Sequence, residues 1–311
     1  MPVLGLDTSN YTTSAAVFDG REGENIGRLL DVRPGELGLR QSDALFQHVK
    51  HLPGLLEQLA GEGRLTSIRA IGASSRPRAV EGSYMPCFLA GESIGQGIAA
   101  SMHVPFYTHS HQQGHLAAAA WSAGRLNLLD SPFLAWHLSG GTTELLLVRP
   151  EGWTVTTEII GGTSDLSAGQ LLDRTGVLLD LQFPAGRALD AMYSQADACY
   201  EPHVKLKDLT FSLSGMENQV KALKEAGEKP ANIARFALDA VCGVVDRATQ
   251  EARQRYSGLP VLCSGGVASN SQLRTLLSCY GVIFAQPQYS TDNAMGTAIL
   301  TWRALKSGEA L

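Results

Sequence analysis

Two stretches of the sequence follow the same pattern, and this repeat constrains the fold more than any other feature. Residues 3–17 and 133–147 each read as a strand, a polar turn rich in Ser, Thr and Gly, and a second strand. Each stretch opens one half of the 311-residue chain, a length that suits two domains of about 150 residues. The repeat therefore predicts a duplicated lobe, with one copy at 1–130 and the other at 131–311.

Strand-like and helix-like segments alternate after each hairpin, which indicates an α/β fold. In the first half, helices are expected over 42–60, 87–102 and 111–123, with Pro53 as a kink or boundary, and strands over 68–73 and 104–108. In the second half, helices are expected over 168–179, 185–198, 232–256, 271–278 and 294–305, and strands over 154–160 and 260–263.

The composition argues against several classes of protein. The five cysteines are widely spaced and form no Cys-x-x-Cys pair, which is atypical of a disulfide framework or a thiolate zinc site. No secretory signal and no apolar run of roughly 18 residues is present, so we expect a cytoplasmic protein that does not enter a membrane. A net charge of −5 gives no general attraction to nucleic acid, so an RNA substrate would need a local patch or a partner.

Two histidines stand four positions apart in the helix expected over 111–123. Residues at this spacing lie about 40° apart on one face of an α-helix, so His111 and His115 could share one ion. The alternative is that both are ordinary, partly exposed helix histidines. The spacing alone leaves both interpretations open.

A metal site needs a third ligand, and a carboxylate is the natural place to look. Asp292 is the best candidate, just before the helix expected over 294–305. The alternative is that Asp292 is the N-cap of that helix, a role that Asp fills well. One carboxylate cannot easily perform both roles, so the two interpretations compete.

Three turns have the composition of phosphate-binding loops. Thr8 and Ser9 follow the first strand, Gly140 and Gly141 lie in the second hairpin, and a Gly-Gly-x-x-x-Asn turn at 265–270 joins a strand to a helix. Each could be an ordinary tight turn. Together they favour phosphate binding from two sides, with a nucleoside above.

The sequence resembles the tRNA threonylcarbamoyladenosine transferases of the TsaD type, formerly called O-sialoglycoprotein endopeptidases or glycoproteases. The resemblance covers nearly the whole chain. It rests on seven motifs in the family's order: GLDTS at 5–9, HxxxHL at 111–116, LSGGT at 138–142, the segment 165–174, FSLSG at 211–215, SGGVASN at 264–270 and TDNAM at 291–295.

The resemblance implies the actin-like ATPase fold, shared with Hsp70 and sugar kinases, with two related lobes around a nucleotide cleft. It implies one divalent metal ion, iron or zinc, held by His111, His115 and Asp292. It also implies an adenine nucleotide or acyl-adenylate ligand and assigns no catalytic acid or base. The residues expected at this ligand are Leu138, Ser139, Gly140, Gly141, Thr142, Asp173, Gly186, Asp190 and Asn270.

The implied reaction transfers a threonylcarbamoyl group from its adenylate to N6 of an adenosine in tRNA, with AMP as the leaving group. Backbone N–H groups of the turn at 139–141 would hold the AMP phosphate. The implied partners are tRNA, bound through partner subunits or a local patch, and TsaB-like and TsaE-like proteins of the same pathway. A homodimer is an alternative assembly.

Several positions depart from the family pattern near the expected anion site. An acidic pair is replaced by Tyr11 and Thr12, a Gly-Pro-Gly loop by Arg76-Pro77-Arg78, a His by Thr142, a Glu by Gln170 and a Lys by Arg174. Carboxylates are lost and guanidinium groups gained, which favours a more negatively charged ligand, with Arg76 and Arg78 as anion-binding candidates. The hypothesis is a divergent paralogue with threonylcarbamoyl transfer weakened or redirected. The alternative is neutral drift at exposed loops.

Two other functions compete with acyl transfer. A small-molecule kinase or ATPase of the same superfamily would hold Mg²⁺ through carboxylates and water rather than histidines. A non-catalytic partner subunit of the tRNA-modification complex is the third hypothesis, and the retention of all three metal-ligand candidates argues against it. The glycoprotease activity has the weakest case, because the chain lacks the His-Glu-x-x-His arrangement.

Overall fold

The computed structural model describes residues 1–9, 11–32 and 39–308. Asn10, in the first of the repeated turns, lies outside the described residues. The strands are β1 Val3–Asp7, β2 Thr12–Phe18, β3 Gly23–Leu29, β4 Ile71–Arg76, β5 Phe106–Ser110, β6 Phe133–Leu138, β7 Thr143–Glu151, β8 Thr154–Thr163, β9 Leu206–Lys207, β10 Thr210–Phe211, β11 Val261–Ser264 and β12 Ile283–Phe284. The α-helices are α1 Gln41–Gly61, α2 Phe88–Met102, α3 His111–Ser122, α4 Ala168–Leu178, α5 Gly186–Tyr193, α6 Ser214–Glu225, α7 Pro230–Arg255, α8 Ser271–Ser278 and α9 Met295–Ser307.

The described residues form two sheets with a shared order of strands. The first sheet has the order β3-β2-β1-β4-β5, in which β1 runs antiparallel to β2 and parallel to β4. The second contains the run β8-β7-β6-β11-β12, in which β6 runs antiparallel to β7 and parallel to β11. The two hairpins that share a sequence pattern, β1-β2 and β6-β7, therefore occupy equivalent places. The predicted duplication is confirmed.

Each sheet is buried by helices that carry its apolar core. In the first half, Leu4 and Leu6 of β1 and Ile71 of β4 pack with Leu52 and Leu59 of α1. In the second half the core includes Trp136 of β6, which is fully buried and donates its indole N–H to Thr249 Oγ1 of α7 at 2.9 Å. The central strands β1 and β6 are buried along nearly their whole length, as expected of strands covered on both faces.

The described residues group into two compact units that differ from the expected ranges 1–130 and 131–311. The first unit takes in Met1–Ser131, Arg149–Thr156 and Gln288–Leu311, and the second takes in Pro132–Val148 and Thr157–Pro287. The C-terminal segment belongs to the first unit because α9 packs on β1 and β2 of the first sheet and on α3. Asp292, which the sequence placed with the second lobe, therefore lies in the first unit.

Most predicted helices are present, and the deviations have local causes. Helix α1 continues through Pro53, so this proline marks no helix end. The helix expected over 185–198 ends at Tyr193, and beyond it the amides of Asp197 and Ala198 donate to the Asn232 side chain instead of continuing the helix. Helix α6 and strand β3 were not predicted. None of the described helices is both long and apolar enough to cross a membrane.

Helix α9 approaches its neighbours so closely that two positions accept only glycine. A Cβ atom at Gly296 would lie 1.7 Å from the carbonyl oxygen of Gly114 in α3, and one at Gly5 would lie 2.4 Å from the backbone nitrogen of Ala298. Backbone atoms cannot move aside as a flexible side chain can. These contacts therefore fix α9 against both α3 and β1.

We predict that Gly296→Ala lowers the free energy of unfolding by about 3 kcal/mol, because the new methyl group overlaps the backbone of α3. The matched control is Gly97→Ala in α2, where no neighbouring atom lies within 4 Å of the new methyl group. That change should be neutral or stabilise by about 0.5–1 kcal/mol, since Ala favours helix more than Gly. Urea denaturation followed by circular dichroism measures both; equal midpoints for the two variants would contradict the prediction.

Candidate metal centre and nucleotide-binding turns

The structure brings His111, His115 and Asp292 together within the first unit. Asp292 Oδ1 lies 3.4 Å from His111 Nε2 and 3.5 Å from His115 Nε2. The three ligand atoms all lie within 4.8 Å of one another, and each residue is half-buried. The three residues that the sequence proposed as ligands therefore form one cluster.

These separations fit a common ion. Zinc lies about 2.0–2.2 Å from nitrogen and oxygen ligands, so two ligands in tetrahedral geometry are about 3.4 Å apart. The observed distances of 3.4 and 3.5 Å match this value. Two imidazoles and one carboxylate suit zinc or iron, and three protein ligands leave coordination positions open. The donor set therefore fits the metal that the family resemblance implies.

The start of α3 positions the two imidazoles. Ser110 is the N-cap and forms a capping box with Gln113, so the helix begins at His111, and His115 follows about one turn later. The Gln113 side chain also donates to the carbonyl oxygen of Val155 at 2.8 Å. The centroids of the two imidazole rings are consequently 4.1 Å apart, on the same face of the helix.

Asp292 does not cap α9, so the alternative interpretation of this residue is wrong. The helix begins at Met295 with Ala294 in the N-cap position. Asn293 Oδ1 accepts from the amide of Met295 at 3.1 Å, and Asn25 Oδ1 accepts from the amide of Ala294 at 2.9 Å. Two asparagine side chains satisfy the amides at the helix start, and the Asp292 carboxylate lies with the imidazoles.

Asp7 is a residue of the site that sequence reasoning missed. Its Oδ2 lies 2.9 Å from His111 Nδ1, and its Oδ1 accepts from the backbone and hydroxyl of Ser9. Asp7 is almost fully buried. A carboxylate that accepts a hydrogen bond from the second ring nitrogen of a ligand histidine fixes the orientation and the tautomer of that ring. The sequence feature that could have pointed to Asp7 is its position at the end of an apolar strand, directly before the polar Thr8-Ser9 turn.

The electrostatics of the cluster favour a bound cation. Burial lowers the pKa of His111, but the carboxylates of Asp7 and Asp292 outweigh it and raise that pKa to about 10. Burial and the charge of His111 lower the pKa of His115. Burial raises the pKa of Asp292, yet hydrogen bonds from both imidazoles hold it below its usual range. Both carboxylates are therefore ionised, and a cation would replace the proton on His111.

The other predicted anion-binding residues of the first unit divide into two pairs. Thr8 and Ser9 are buried and use their hydroxyls internally: Thr8 donates to Cys87 O, and Ser9 donates to Asp7. Arg76 ends β4, where it pairs with Ser110 of β5 after a register shift between Ser74 and Arg76. Arg78 follows in a loop in which its amide donates to Ser83 Oγ. This loop reaches α3, because Pro77 O accepts from the Gln112 amide at 3.0 Å.

The predicted nucleotide turns lie close together within the second unit. The 139–142 turn closes the β6-β7 hairpin, with the Thr142 amide donating to Ser139 Oγ at 3.1 Å. Gly140 and Gly141 are exposed and have no neighbouring atom near their Cβ positions. A Cβ at Gly169 in α4 would lie 2.4 Å from Ser139 O, and one at Gly265 would lie 2.1 Å from Leu138 O. Since the Leu138 side chain is buried, only its backbone could touch a ligand.

The remaining predicted ligand contacts also lie in the second unit and hold its loops together. Asp173 Oδ1 accepts from the amide of Ala185, directly before Gly186, the first residue of α5. Asp190 accepts from the Asn270 side-chain amide at 2.8 Å and from the Ser271 amide at 3.0 Å. Asn270 caps α8 by accepting from the Leu273 amide. Hydrogen bonds thus join Asp173 to the start of α5 and Asp190 to the start of α8.

Comparisons with known proteins decide the family. The family model described as TsaD, tRNA N6-adenosine threonylcarbamoyltransferase, matches residues 38–299. The protein of that name from Chlorobium luteolum is 31% identical, with 99% of this chain and 94% of the relative aligned. The one from Thermus thermophilus is 30% identical, over 99% and 94%. This chain belongs to the TsaD family.

Solved structures agree on the fold of this TsaD-family chain. Full-length HypF, in a phosphate- and nucleotide-bound form, aligns with a TM-score of 0.63 at 14% identity over 99% of this chain and 47% of HypF. Component A of the (R)-2-hydroxyglutaryl-CoA dehydratase of Acidaminococcus fermentans aligns with a TM-score of 0.57 at 14% identity over 99% and 100%. The predicted actin-like ATPase fold is confirmed.

The positions that depart from the TsaD pattern are not equivalent in the structure. Arg174 pairs with Glu217 at 2.8 Å, and Gln170 completes a capping box with Ser167 at the start of α4. Thr142 closes the hairpin turn through its amide. Tyr11 is 39% exposed, and Thr12 begins β2. The structure therefore gives Arg174, Gln170 and Thr142 contacts within the protein.

We predict that Asp7→Asn weakens binding of zinc or iron by about 10- to 100-fold, because an amide cannot supply the charge that orients and polarises His111. Asp43→Asn, at an exposed carboxylate in the first turn of α1, is the matched control and should not change metal affinity. Competition with a chromophoric chelator measures the affinity. Equal affinity of both variants and the parent chain would show that Asp7 does not support the centre.

Proposed function

We propose that this chain is a metal-dependent acyltransferase that transfers a threonylcarbamoyl group, or a closely related acyl group, from an acyl-adenylate to N6 of adenosine in tRNA. The cluster of His111, His115 and Asp292 is the observation that carries the proposal. Family membership supports the reaction class, since the matched relatives bear the name tRNA N6-adenosine threonylcarbamoyltransferase. A non-catalytic role would give no reason to keep this cluster.

The residues of the first unit would hold the metal and keep it in one geometry. His111 and His115 would each supply a neutral nitrogen, and Asp292 would supply an anionic oxygen. Asp7 would accept a hydrogen bond from Nδ1 of His111, which leaves Nε2 of that ring as the metal ligand. When bound, the metal would polarise an acyl carbonyl and stabilise negative charge on its oxygen in the transition state. Histidine ligands favour this assignment over a kinase, in which carboxylates and water hold Mg²⁺.

The turns of the second unit would hold the adenylate. Gly140 and Gly141 are exposed and unobstructed, so their backbone N–H groups are accessible to a phosphate. The start of α4 packs directly on this turn, because the Ser167 hydroxyl donates to Gly140 O at 2.6 Å. Binding the AMP part of the ligand here would also bind the leaving group. Asp173, Gly186, Asp190 and Asn270 are the further candidates for contacts to the ligand.

The tRNA acceptor would require help from outside this chain. With a net charge of −5, the chain has no general attraction to a phosphate backbone. We therefore propose that TsaB-like and TsaE-like proteins of the pathway present the tRNA and complete the active complex in the cytoplasm. A homodimer is the alternative assembly for the same role.

We predict that the purified chain, loaded with zinc or iron and combined with the pathway partners, forms the modified adenosine in tRNA and releases AMP from threonylcarbamoyl-adenylate. His115→Ala should lower this rate by about 100-fold or more, because the cluster loses one of its ligands. His203→Ala, at an exposed histidine in the second unit, should leave it unchanged. Liquid chromatography with mass spectrometry of digested tRNA measures the product.

Phosphate transfer to a sugar with Mg²⁺ alone, at equal rates in parent and His115→Ala proteins, would instead identify a kinase. Metal binding that disappears in His111→Ala, together with no transfer to tRNA, would support the redirected reaction of a divergent paralogue.

We predict that Gly169→Ala weakens binding of AMP by at least about tenfold. The new methyl group would lie 2.4 Å from Ser139 O and 2.5 Å from Gly140 Cα, so the turn must shift. Gly243→Ala in α7 is the matched control, because no atom lies within 4 Å of its new methyl group. Isothermal titration with AMP measures both variants, and unchanged affinity in Gly169→Ala would remove the 139–142 turn from the nucleotide site.

A further inference from the structure

The 139–142 turn presents two backbone amides, those of Gly140 and Gly141, that have no acceptor within the described part of the chain. Both residues are exposed, and no atom lies within 4 Å of either Cβ position. The ends of the turn are fixed, since the Ser139 amide donates to Thr142 O at 2.8 Å and the Thr142 amide donates to Ser139 Oγ at 3.1 Å. The orientation of the peptide between Gly140 and Gly141 depends on what holds its carbonyl oxygen.

The hydroxyl of Ser167, directly before α4, holds that oxygen. Ser167 Oγ accepts from the Gln170 amide at 3.1 Å, and an amide N–H can only donate. The single hydroxyl proton is therefore donated to Gly140 O, at 2.6 Å. Ser167 is 2% exposed, so water has little access to either bond. The next residue strengthens the attachment, because the Ala168 amide donates to Thr143 Oγ1 at 2.8 Å.

The planarity of the peptide carries the effect of this bond to the N–H of Gly141. The peptide is trans, so its C=O and N–H point in opposite directions. With Gly140 O directed at Ser167, the Gly141 N–H points away from the start of α4. Glycine on both sides removes the Cβ atoms that would resist rotation of this peptide. Without the bond from Ser167, the peptide could turn over and present a carbonyl oxygen, which repels an anion, in place of the N–H.

We propose that Ser167 is a positioning residue of the nucleotide site, whose hydroxyl orients the Gly140–Gly141 peptide so that the Gly141 N–H donates to the phosphate of the bound adenylate. This inference rests on the proposed binding of an adenylate at the 139–142 turn. It adds the residue that decides which group of the peptide faces the ligand. Ser167 acts through Gly140 and does not itself touch the ligand. Its loss should therefore affect recognition of the phosphate and not recognition of the nucleoside.

Equilibrium binding of AMP and of adenosine to the purified chain tests this role, since the two ligands differ only in the phosphate. The parent chain should bind AMP more tightly than adenosine. Ser167→Ala should lower affinity for AMP by about tenfold and leave affinity for adenosine unchanged, because the peptide loses its only side-chain donor. Ser167→Thr keeps the hydroxyl and should retain most of the preference for AMP. Isothermal titration measures the affinities.

Two control variants separate this role from effects on local structure. Ser164→Ala removes another serine hydroxyl of the same segment that donates to a backbone carbonyl, Phe211 O at 3.2 Å, and should bind both ligands as the parent chain does. Gln170→Ala removes the other half of the α4 capping box and keeps the Ser167 hydroxyl. It should lower the stability of α4 and keep the preference for AMP.

Equal losses for AMP and adenosine in Ser167→Ala would overturn the proposal. So would a loss of AMP preference in Gln170→Ala as large as that in Ser167→Ala, since the cap of α4 would then be the cause. A parent chain that binds AMP no more tightly than adenosine would overturn it together with the phosphate-binding role of the 139–142 turn. None of these outcomes depends on transfer to tRNA, which tests the proposed reaction separately.

Discussion

The candidate metal centre depends on the close backbone contact of α9 with α3 and β1. Gly296 brings α9 against the carbonyl of Gly114, which lies between the two histidines of α3, and Gly5 brings α9 against β1, the strand that ends at Asp7. Asp292, the candidate ligand just before α9, is positioned by this packing of α9. Coordination bonds are about 2 Å long and vary little in length. If α9 moved about 1 Å away from α3, Asp292 could no longer bind the same ion as the two histidines. Packing therefore sets the chemistry of the site.

The pairing of His111 with His115 in the cluster could be predicted from sequence, because their spacing is a local property. His111 and His115 share a helix face at a separation of four, and the Ser110 and Gln113 pair marks where the helix begins. Asp292 was harder, since a carboxylate before a helix also suits a cap. The structure decides between these roles because Asn293 and Asn25 satisfy the first amides of α9. Sequence spacing cannot show which of two neighbouring polar residues, Asp292 or Asn293, accepts hydrogen bonds from the amides at the start of α9.

Other features depend on contacts between distant parts of the chain. Asp7 meets His111 across more than a hundred residues, through a strand pairing that no local pattern reveals. The C-terminal helix was expected with the second lobe, because order along the chain was the available guide, whereas its apolar face packs on the first sheet. Arg76 and Arg174 looked alike as gained guanidinium groups, and the ion pair of Arg174 with Glu217 distinguishes the two.

The candidate ligand set is discontinuous in the sequence, and this has a consequence for folding. Strands β6 to β12 lie in the chain between the two histidines and Asp292. The three residues therefore come together only when α9 has packed on β1 and α3. An ion bound by all three would report that this packing of the first unit is complete.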